Sequence, residues 1–501
     1  MQNQPKGFCE FTKSPPVAFI IFGASGDLAN KKLLPSLFNL YQKGILPPQF
    51  YVLGVARTEM KEATFRGGLI SSIQARVPNA KEEVLKDFLQ RCFYIGGNYS
   101  SGTFWPRVSQ KISELNTKFQ SEDNLIIHLA TPPSAYEELI PKITETEFYQ
   151  AKAGFRRIII EKPFGKDLDS AVQLNSLVKQ YFSEEEIFRI DHYLGKDTVL
   201  NLLTFRFANS IFESMWNRHY IDHVQITLFE KNGIEGRAKY FDETGLIKDV
   251  FQNHLLQLLS LIAIEPPTAL DSSGLKNEVL KVLESIRPFE KHLLSDHFIR
   301  GQYGPGEIDG KPCAAYRNEE GADYNSYTET FMAGKFHIDN WRWTEVPFYV
   351  RAGKRMPVKT TEISIVFKSI PHSMFVPLKP SDFSKNVLTF KIQDEQSVNL
   401  RISAKHPGGK LCLTDVDLGF NYKSMFSKYM RSDYEVLLLD VAIGDQTLFL
   451  KEDVINASWK VCMPILDNLG YAPTKIYPAG SMGPKESHDL LERDGRSWIL
   501  K

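Results

Sequence analysis

Eight consecutive residues, RIDHYLGK (Arg189–Lys196), combine a carboxylate, an imidazole, a phenol and two cations. Such groups bind anions and move protons, although most charge clusters on proteins are solvated surface. His192 and Lys196 are four residues apart. They would project from one face and bind a phosphate group if a helix begins near Asp191. Asp191 would then point elsewhere, which leaves its carboxylate free to orient a histidine.

A histidine for that role lies in DVFQNHLLQLLSLIAI (Asp249–Ile264), a segment that is otherwise nearly all apolar. His254 is either a hydrogen-bonded core histidine or a neutral general base, since an imidazole in a partly dry site suits proton transfer at neutral pH. Asp249 precedes it by five residues, about 140° around an α-helix, so the two side chains would not share a face. We expect them to meet one ligand only if Asp249 lies at or before the first helical turn.

The segment VAFIIFGASGDLANKKLLPSLFNLY (17–41) indicates a nucleotide site between a strand and a helix. Val17–Phe22 is apolar throughout, as a strand in a buried parallel sheet must be, and the leucine spacing after it predicts a helix. Gly23 permits a tight turn, Gly26 lets a pyrophosphate approach the backbone, and Ala29 lets helix and strand pack together. The candidate phosphate loop comprises Gly23, Ser25, Gly26, Asp27 and Leu28.

The next strand, YVLGVART (51–58), predicts which dinucleotide binds. A site for NAD would end this strand with a carboxylate for the adenosine ribose, whereas Arg57 and Thr58 suit a 2′-phosphate. Glu59 is a competing candidate, and Arg57 is otherwise an ordinary surface arginine. NADP is the expected cofactor, with Lys32 as a second candidate cation.

Three further lysines follow strand-like runs. Lys162 ends the apolar run of RIIIEKPFG (157–165), where Pro163 cannot continue a sheet ladder and fixes the turn geometry. It is either a surface residue that caps a strand or a group between nicotinamide and substrate, and the segment alone favours neither. Lys354 and Lys359, in RAGKRMPVKT, are equally open between solvated side chains and members of a shaped loop.

Strands and helices alternate up to about residue 187, which predicts an α/β domain with its ligands beyond the carboxyl ends of the strands. The pattern then changes to strands that alternate apolar and polar residues, typical of an antiparallel sheet with one covered face. The clearest of these are 223–230, 361–368, 387–393 and 397–403. The predicted fold is α/β plus α+β: a dinucleotide-binding domain, 1–188, and a domain with a large antiparallel sheet backed by helices, 189–501.

Composition argues against several function classes. Sixty basic side chains balance sixty acidic ones in 501 residues, so no global field favours nucleic acid or an anionic membrane. The longest apolar run, 255–264, is too short to span a bilayer, and the N-terminal segment lacks the apolar core of a signal peptide. Five cysteines without CxxC spacing fit a reducing compartment, so we expect a cytoplasmic protein without structural zinc. His219 and His223 have metal-ligand spacing but no third ligand nearby in the sequence, so no metal is expected.

Together these segments resemble the glucose-6-phosphate dehydrogenase family along almost the whole chain. The matching segments are FGASGDLA, EKPFG, RIDHYLGK, NRHYIDHVQITLFE, EGRAKYFDETGLIKDVFQNHLLQ, RGQY, VPFYVRAGKR and YEVLLLDVAIGDQTLF. The resemblance implies a Rossmann domain and a β+α domain, joined into a homodimer or homotetramer through the large sheet. It also implies NADP-dependent oxidation of glucose 6-phosphate to 6-phosphogluconolactone, the first step of the oxidative pentose phosphate pathway.

The same resemblance implies roles for individual residues. The general base falls on His254, oriented by Asp191, and a lysine near both ligands falls on Lys162. Contacts to the substrate phosphate fall on His192, Tyr193, Lys196 and Lys359. Contacts to the sugar fall on Glu230, Asp249, Lys354 and Gln393. Contacts to the cofactor fall on Gly23, Gly26, Lys32 and Arg57. Asn30 and Lys359 differ from residues common in the family without removing a required group.

Two other functions fit parts of the pattern. A related sugar oxidoreductase that acts on unphosphorylated sugars would have no use for a cluster that contains Lys196 and Lys359. A non-catalytic NADP-binding sensor would have no reason to retain Asp191, Lys162 and His254 together. Both alternatives are therefore weaker than the phosphorylated-sugar dehydrogenase.

Overall fold

The computed structural model describes residues 12–151, 153–393, 395–408, 412–426 and 430–501. Within these residues the chain forms two large sheets and a two-stranded ribbon. The strands of the first sheet are β1 (Val17–Phe22), β2 (Phe50–Ala56), β3 (Cys92–Gly96), β4 (Leu125–Leu129), β5 (Arg156–Ile160) and β6 (Ile187–Arg189). The accompanying α-helices are α1 (Leu34–Gln42), α2 (Glu62–Arg76), α3 (Glu82–Gln90), α4 (Phe104–Phe119), α5 (Tyr136–Thr144), α6 (Glu147–Gln150) and α7 (Leu168–Lys179).

The first sheet is parallel throughout, in the order β3-β2-β1-β4-β5-β6. Every residue of β1, β2 and β4 is buried, as expected for strands covered on both faces. This strand order is that of doubly wound dinucleotide-binding domains, so the predicted Rossmann architecture is confirmed. Because parallel strands end at one edge, Gly23, Arg57 and Lys162 follow β1, β2 and β5 at the same edge of the sheet.

The second sheet contains nine strands in the order β16-β15-β14-β13-β7-β12-β11-β8-β17. They are β7 (Ile221–Phe229), β8 (Phe298–Gly304), β11 (Phe331–Phe336), β12 (Phe348–Gly353), β13 (Thr360–Phe367), β14 (Val387–Gln393), β15 (Ser397–Lys405), β16 (Leu413–Asn421) and β17 (Lys475–Pro478). β9 (Gly306–Ile308) and β10 (Lys311–Cys313) form the ribbon. The remaining α-helices are α8 (Asp197–Phe207), α9 (Ser210–Met215), α10 (Ala238–Leu246), α11 (Leu256–Ala263), α12 (Ser272–Ser285), α13 (Leu294–His297), α14 (Tyr422–Phe426), α15 (Asp433–Ile443), α16 (Glu452–Leu466) and α17 (Glu486–Glu492).

This second sheet is mixed, whereas the sequence predicted antiparallel strands. β12 runs parallel to β7, and β17 runs parallel to β8, while the other neighbours are antiparallel. Parallel neighbours need a long crossover connection, and β7 is separated from β12 by α10 to α13. The alternation of apolar and polar residues predicts a strand with one covered face, but it does not predict the direction of the neighbouring strand. The prediction was therefore right about the large sheet and incomplete about the pairing of its strands.

Two π-helical segments adjoin the α-helices. Ala29–Leu33 precedes α1, and Ile247–Leu255 lies between α10 and α11. Among the described residues, no helix combines the length and the apolar character needed to cross a membrane.

The two regions of the chain are joined by buried and half-buried polar contacts. Arg157 Nη1, on β5, donates to the carbonyl oxygens of Val441 and Ala442 in α15, each at 2.7 Å. Tyr434, at the other end of α15, donates its hydroxyl to Glu161 Oε1 at 3.2 Å. Helix α15 therefore packs along β5, with Tyr434 at the carboxyl end of the strand and Val441 and Ala442 near its amino end.

Candidate active site

A buried histidine–aspartate pair lies just beyond the carboxyl end of β6. His254 Nδ1 is 2.6 Å from Asp191 Oδ1, with 4% and 1% of the two side chains exposed. Burial alone would raise the pKa of Asp191, but His254 outweighs it and holds that pKa below its usual value, at about 2. Asp191 is therefore ionised at neutral pH.

The ionised Asp191 decides which nitrogen of His254 carries the proton. A carboxylate only accepts hydrogen bonds, so Nδ1 must be protonated and Nε2 presents its lone pair. Lys162 Nζ donates to that lone pair at 3.0 Å. Burial lowers the pKa of His254, Asp191 opposes the shift and Lys162 adds to it, so the pKa stays below its ordinary value. A neutral imidazole with this tautomer is equipped to take a proton at Nε2.

The π-helical segment Ile247–Leu255 carries both Asp249 and His254, which corrects the expected geometry. Hydrogen bonds in a π-helix run between residues five apart, so residues at that spacing lie one above the other. Lys162 Nζ donates to Asp249 O at 3.0 Å as well as to His254. The prediction from sequence assumed α-helical spacing, and it allowed the two residues to meet one ligand only if Asp249 lies at or before the first turn. Asp249 does lie in the first turn of this segment, so that condition is met. Burial would raise the pKa of Asp249, but Lys162 reverses the shift and lowers it.

The turn before α8 corrects a second expectation. α8 begins only at Asp197, so His192 and Lys196 are not aligned by a helix that starts near Asp191. Asp191 Oδ1 accepts from Tyr193 N at 2.9 Å, and its carbonyl accepts from Leu194 N at 3.0 Å. Side-chain bonds of this kind compete with helix formation, so the chain turns here before it becomes helical.

Aromatic packing, rather than a helix face, gathers the RIDHYLGK side chains. The Tyr193 ring stacks on the His254 ring with centroids 4.3 Å apart, and the His192 ring meets the His254 ring edge-on at 4.7 Å. Lys196 Nζ lies 5.2 Å from the centre of the Tyr193 ring. Burial lowers the pKa of His192 well below its usual value; His254, Lys162 and Lys196 lower that pKa further, while Asp191 opposes the shift.

Lys196 is close to cations from two other segments. Burial lowers the pKa of Lys196; Asp433 opposes this, and Lys32 and Lys359 lower the pKa further. Asp433 Oδ2 is 4.0 Å from Lys196 Nζ. Mutual repulsion among three ammonium groups is relieved when an anion binds between them.

Polar side chains from the second sheet approach the same place. Lys354 Nζ, with 4% of the side chain exposed, contacts Glu230 Oε2 at 2.5 Å. Tyr193 donates its hydroxyl to Gln393 Oε1 at 2.9 Å. A carboxylate just after β7, an ammonium group just after β12 and an amide at the end of β14 thus lie near the histidine–aspartate pair.

The loop after β1 has the shape expected of a phosphate-binding turn. Gly23 has a φ of +84°, and a Cβ there would overlap Ala130 O, so only glycine fits. Gly26 N donates to Gly23 O at 2.9 Å, which closes the turn. Ser25, Gly26 and Asp27 are exposed and Leu28 is half-buried, so the loop is open to a ligand.

The end of β2 flanks this loop. Ser25 Oγ donates to Thr58 Oγ1 at 3.5 Å, and the neighbouring Arg57 is exposed. Burial raises the pKa of Tyr99 to about 12, and the charge of Arg57 opposes that shift. An open turn with an adjacent exposed arginine fits a dinucleotide with a 2′-phosphate.

The histidines at metal-ligand spacing belong to other surroundings. His223 lies in β7, where its Nδ1 is 2.6 Å from Asp222 Oδ2 and its Nε2 is 2.9 Å from Gln225 Nε2. His219 lies in the turn before β7, so helical spacing does not apply to the pair.

Comparison with known proteins matches both halves of the chain to one family. A family model described as "Glucose-6-phosphate dehydrogenase, NAD binding domain" matches residues 20–201, and one described as "Glucose-6-phosphate dehydrogenase, C-terminal domain" matches residues 203–499. This chain belongs to the glucose-6-phosphate dehydrogenase family.

Similar proteins span nearly the whole chain. Glucose-6-phosphate 1-dehydrogenase of Chlamydia pneumoniae is 41% identical, covering 97% of this chain and 96% of its own. The enzyme of Bacillus subtilis is 37% identical, covering 97% and 99%. A solved glucose-6-phosphate dehydrogenase in complex with its substrate glucose-6-phosphate has a TM-score of 0.89 at 34% identity, covering 97% and 99%. The Mycobacterium avium structure has a TM-score of 0.83 at 30% identity, covering 98% and 99%.

Membership of the glucose-6-phosphate dehydrogenase family confirms the expected activity. The chain is an oxidoreductase that oxidises glucose 6-phosphate with NADP, the first step of the oxidative pentose phosphate pathway. The two-part architecture is confirmed by the same matches and by the fold.

Sequence reasoning missed two polar side chains of this candidate active site. Thr361 Oγ1 is 3.3 Å from the Tyr193 hydroxyl, and Asp433 faces Lys196. Thr361 offers no signal beyond its nearness to Lys359 in the sequence. Asp433 follows Ser432 at the start of α15, where the capping pattern indicates only a helix beginning.

Proposed function

We propose that His254 is the general base of the reaction, and that Asp191 holds its tautomer. The observation that carries the proposal is the buried 2.6 Å contact between His254 Nδ1 and Asp191 Oδ1, which leaves Nε2 as the acceptor. A buried carboxylate opposite the protonated nitrogen also stabilises the imidazolium that forms when Nε2 takes a proton.

In the proposed reaction the C1 hydroxyl of glucose 6-phosphate gives its proton to His254 Nε2. The O–H electrons form the new C1–O π bond, and the C1–H bond breaks with both of its electrons, which leaves the lactone. NADP, when bound, accepts that hydride. The residues supply orientation and proton transfer, and a positioned base typically contributes roughly 10²–10⁴-fold to the rate.

Lys162 has a separate part in the proposal. Its ammonium donates to His254 Nε2 and to Asp249 O, both at 3.0 Å. The substrate hydroxyl must take the same lone pair of Nε2. Lys162 therefore gives up that contact on binding and lies beside both the sugar and the nicotinamide.

The substrate contacts divide between its two ends. His192, Tyr193, Lys196 and Lys359 bind the phosphate, a role supported by the repulsion that lowers the pKa of Lys196. Glu230, Asp249, Lys354 and Gln393 bind the sugar hydroxyls, where carboxylates, an amine and an amide offer both donors and acceptors. Because the phosphate is remote from C1, its contacts supply binding energy rather than chemistry.

The cofactor contacts follow the carboxyl edge of the first sheet. Gly23, Ser25, Gly26, Asp27 and Leu28 form the pyrophosphate turn. Arg57 binds the 2′-phosphate, Lys32 is a second cation for the cofactor, and Lys162 reaches the nicotinamide end. The exposure of the loop and of Arg57 supports this assignment.

We also propose the organisation of the whole protein. The NADP-binding domain comprises 1–188 and the substrate and oligomerisation domain 189–501, a boundary that falls within β6. The protein is cytoplasmic and assembles as a homodimer or homotetramer through the large sheet, without nucleic-acid or membrane partners.

The first test is an assay with purified protein, glucose 6-phosphate and NADP, in which nicotinamide reduction is followed by absorbance. Unphosphorylated glucose is the control, because it has the reacting carbon but not the anion. We expect reduction at low glucose 6-phosphate concentration and little with glucose. Equal efficiency with both sugars would contradict the assignment of the cations to a substrate phosphate.

A further inference from the structure

One buried residue, Glu329, holds the start of the π-helix that carries Asp249 and His254. Its carbonyl oxygen accepts from Leu246 N and its Oε1 accepts from Ile247 N, each at 3.1 Å. The first N–H groups of a helix have no partner within the helix, so these two bonds satisfy donors that would otherwise be buried and unpaired. Glu329 itself is only 4% exposed.

A glycine makes room for this carboxylate. Gly245, immediately before the two bonded amides, has a φ of +66°, and a Cβ there would overlap Glu329 Oε1. The break in helical geometry at Gly245 separates α10 from the π-helix. Gly245 and Glu329 therefore form one fitted pair at the start of Ile247–Leu255.

The residue after Glu329 is tied to another part of the site. Thr330 O accepts from Lys354 N at 2.9 Å, and Tyr477 donates its hydroxyl to Lys354 O at 2.7 Å and to Thr330 O at 3.2 Å. Two consecutive residues thus connect the π-helix with the backbone of Lys354. The sequence does not predict this connection, since Glu329 is a single acidic residue that precedes a run of strand residues.

The burial of the Glu329 carboxyl group is energetically unfavourable, although a cation lies nearby. Arg300 Nη1 lies 3.9 Å from Glu329 Oε2, too far for a hydrogen bond. A buried carboxyl group is unfavourable unless it forms bonds that the fold needs. Glu329 forms such bonds, to the first amides at the start of the π-helix Ile247–Leu255.

We propose that Glu329, seated against Gly245, is a positioning residue that fixes the start and rotation of the π-helix. Asp249 and His254 then reach the substrate together, in register with Lys354. The inference rests on the roles proposed above for these three residues. Glu329 touches neither substrate nor cofactor in this account and acts only through the helix.

The kinetic test compares Glu329→Ala with Glu329→Gln in the full-length protein. We expect Glu329→Ala to lower kcat/KM for glucose 6-phosphate about tenfold or more, because small misplacement of reacting groups is costly. Its Kd for NADP, measured by calorimetry, should stay unchanged. Glu329→Gln should recover most of the activity, since an amide oxygen accepts the same bond from Ile247 N. Gly245→Ala should resemble Glu329→Ala.

The matched control is Glu362→Ala. Glu362 is another buried acid, 6% exposed, that accepts from Ser364 Oγ at 3.1 Å on β13. We expect this variant to lose stability and keep its kcat/KM. The inference would be overturned if both variants lost kcat/KM in proportion to their loss of melting temperature. Glu329 would then have only a structural role.

A readout independent of activity separates this inference from the proposed function. Amide hydrogen exchange in segment 246–255 should accelerate in Glu329→Ala and stay as in the wild type in Glu329→Gln. Unchanged exchange together with unchanged kinetics in Glu329→Ala would overturn the positioning role. If His254→Asn kept full turnover while Glu329→Ala still loosened the helix, the proposed base would fail and the positioning role would stand. If Glu329→Ala does not fold, Glu329→Asp replaces it, because it withdraws the carboxylate by one methylene. Lower kcat/KM and faster exchange in segment 246–255 are again expected, and no change in either would overturn the positioning role.

Discussion

The chemistry of His254 depends on the opposite effects of two neighbours. Asp191 favours the protonated ring and raises the His254 pKa, while Lys162 disfavours it and lowers the pKa. Burial adds to the effect of Lys162, so the ring is neutral at neutral pH and can accept the substrate proton. In the proposed mechanism the carboxylate of Asp191 then stabilises the imidazolium that forms, because a charged ring is unfavourable in a dry site without a counter-charge.

Asp191→Asn should move the acid limb of the kcat–pH profile to lower pH and reduce the plateau. The base works when deprotonated, so activity falls as the pH drops through its lowered pKa. Loss of the carboxylate removes the effect that raises the pKa, so the limb moves further down, and the weaker base slows turnover roughly 10²-fold or more. The measurement is kcat against pH for both proteins. A limb that stays in place or moves up would argue against the pairing.

Arg57→Ala should reduce the preference for NADP over NAD. The guanidinium can bind a 2′-phosphate that NAD lacks, so kcat/KM for NADP should fall while that for NAD changes little. Arg287→Ala is a suitable control, since Arg287 is an exposed arginine that pairs with Asp339 at 2.6 Å. Equal losses for both cofactors in Arg57→Ala would exclude recognition of the 2′-phosphate.

At the scale of elements, the turn after β1 depends on one backbone conformation. Gly23→Ala combines a positive φ with overlap on Ala130 O, so we expect a loss of about 1–3 kcal/mol in the free energy of unfolding and a raised KM for NADP. Denaturant unfolding and cofactor titration provide the measurements.

The matched control for that substitution lies on α2. Gly67 is helical with open space around its Cβ position, so Gly67→Ala should be neutral or stabilise the protein by about 0.5–1 kcal/mol. Similar effects of the two substitutions would mean that the turn after β1 tolerates a side chain and is not fitted to glycine.

The sequence predicted elements where residue pattern alone decides them. Val17–Phe22 is a buried parallel strand because it is apolar on both faces, and the strand at 387–393 was predicted at its observed bounds. The π-helix at Ile247–Leu255 was not predictable, because its residues also suit an α-helix and its start depends on the distant Glu329. The late start of α8 likewise depends on the buried surroundings of Asp191.

At the scale of the whole molecule, the site exists only when distant segments meet. His254 and Asp191 were predicted as partners from their chemistry and from the family resemblance. Two contacts join segments that are distant in the sequence: Lys196 with Asp433, and Tyr193 with Thr361. No local sequence pattern predicts such contacts. Contacts such as Arg157 with Val441 hold α15, which carries Asp433, against the first sheet and so place Asp433 beside Lys196.

The proposed assembly predicts a particle mass of two or four chains of 57.2 kDa. β16 is the outermost strand at one edge of the large sheet, and its Leu418 is 55% exposed. An open edge that carries an exposed leucine favours pairing with another copy. Light scattering on the purified protein at several concentrations measures the mass. A single-chain mass throughout would contradict assembly through the sheet.

The most direct test of the account is the turnover of His254→Asn with glucose 6-phosphate and NADP. Asparagine keeps a polar side chain at this position but cannot accept a proton at neutral pH. We predict that kcat falls by at least roughly 10²–10⁴-fold, while the Kd for glucose 6-phosphate, measured by calorimetry, changes little. Near-normal turnover with intact substrate binding would contradict the assignment of His254 as the base.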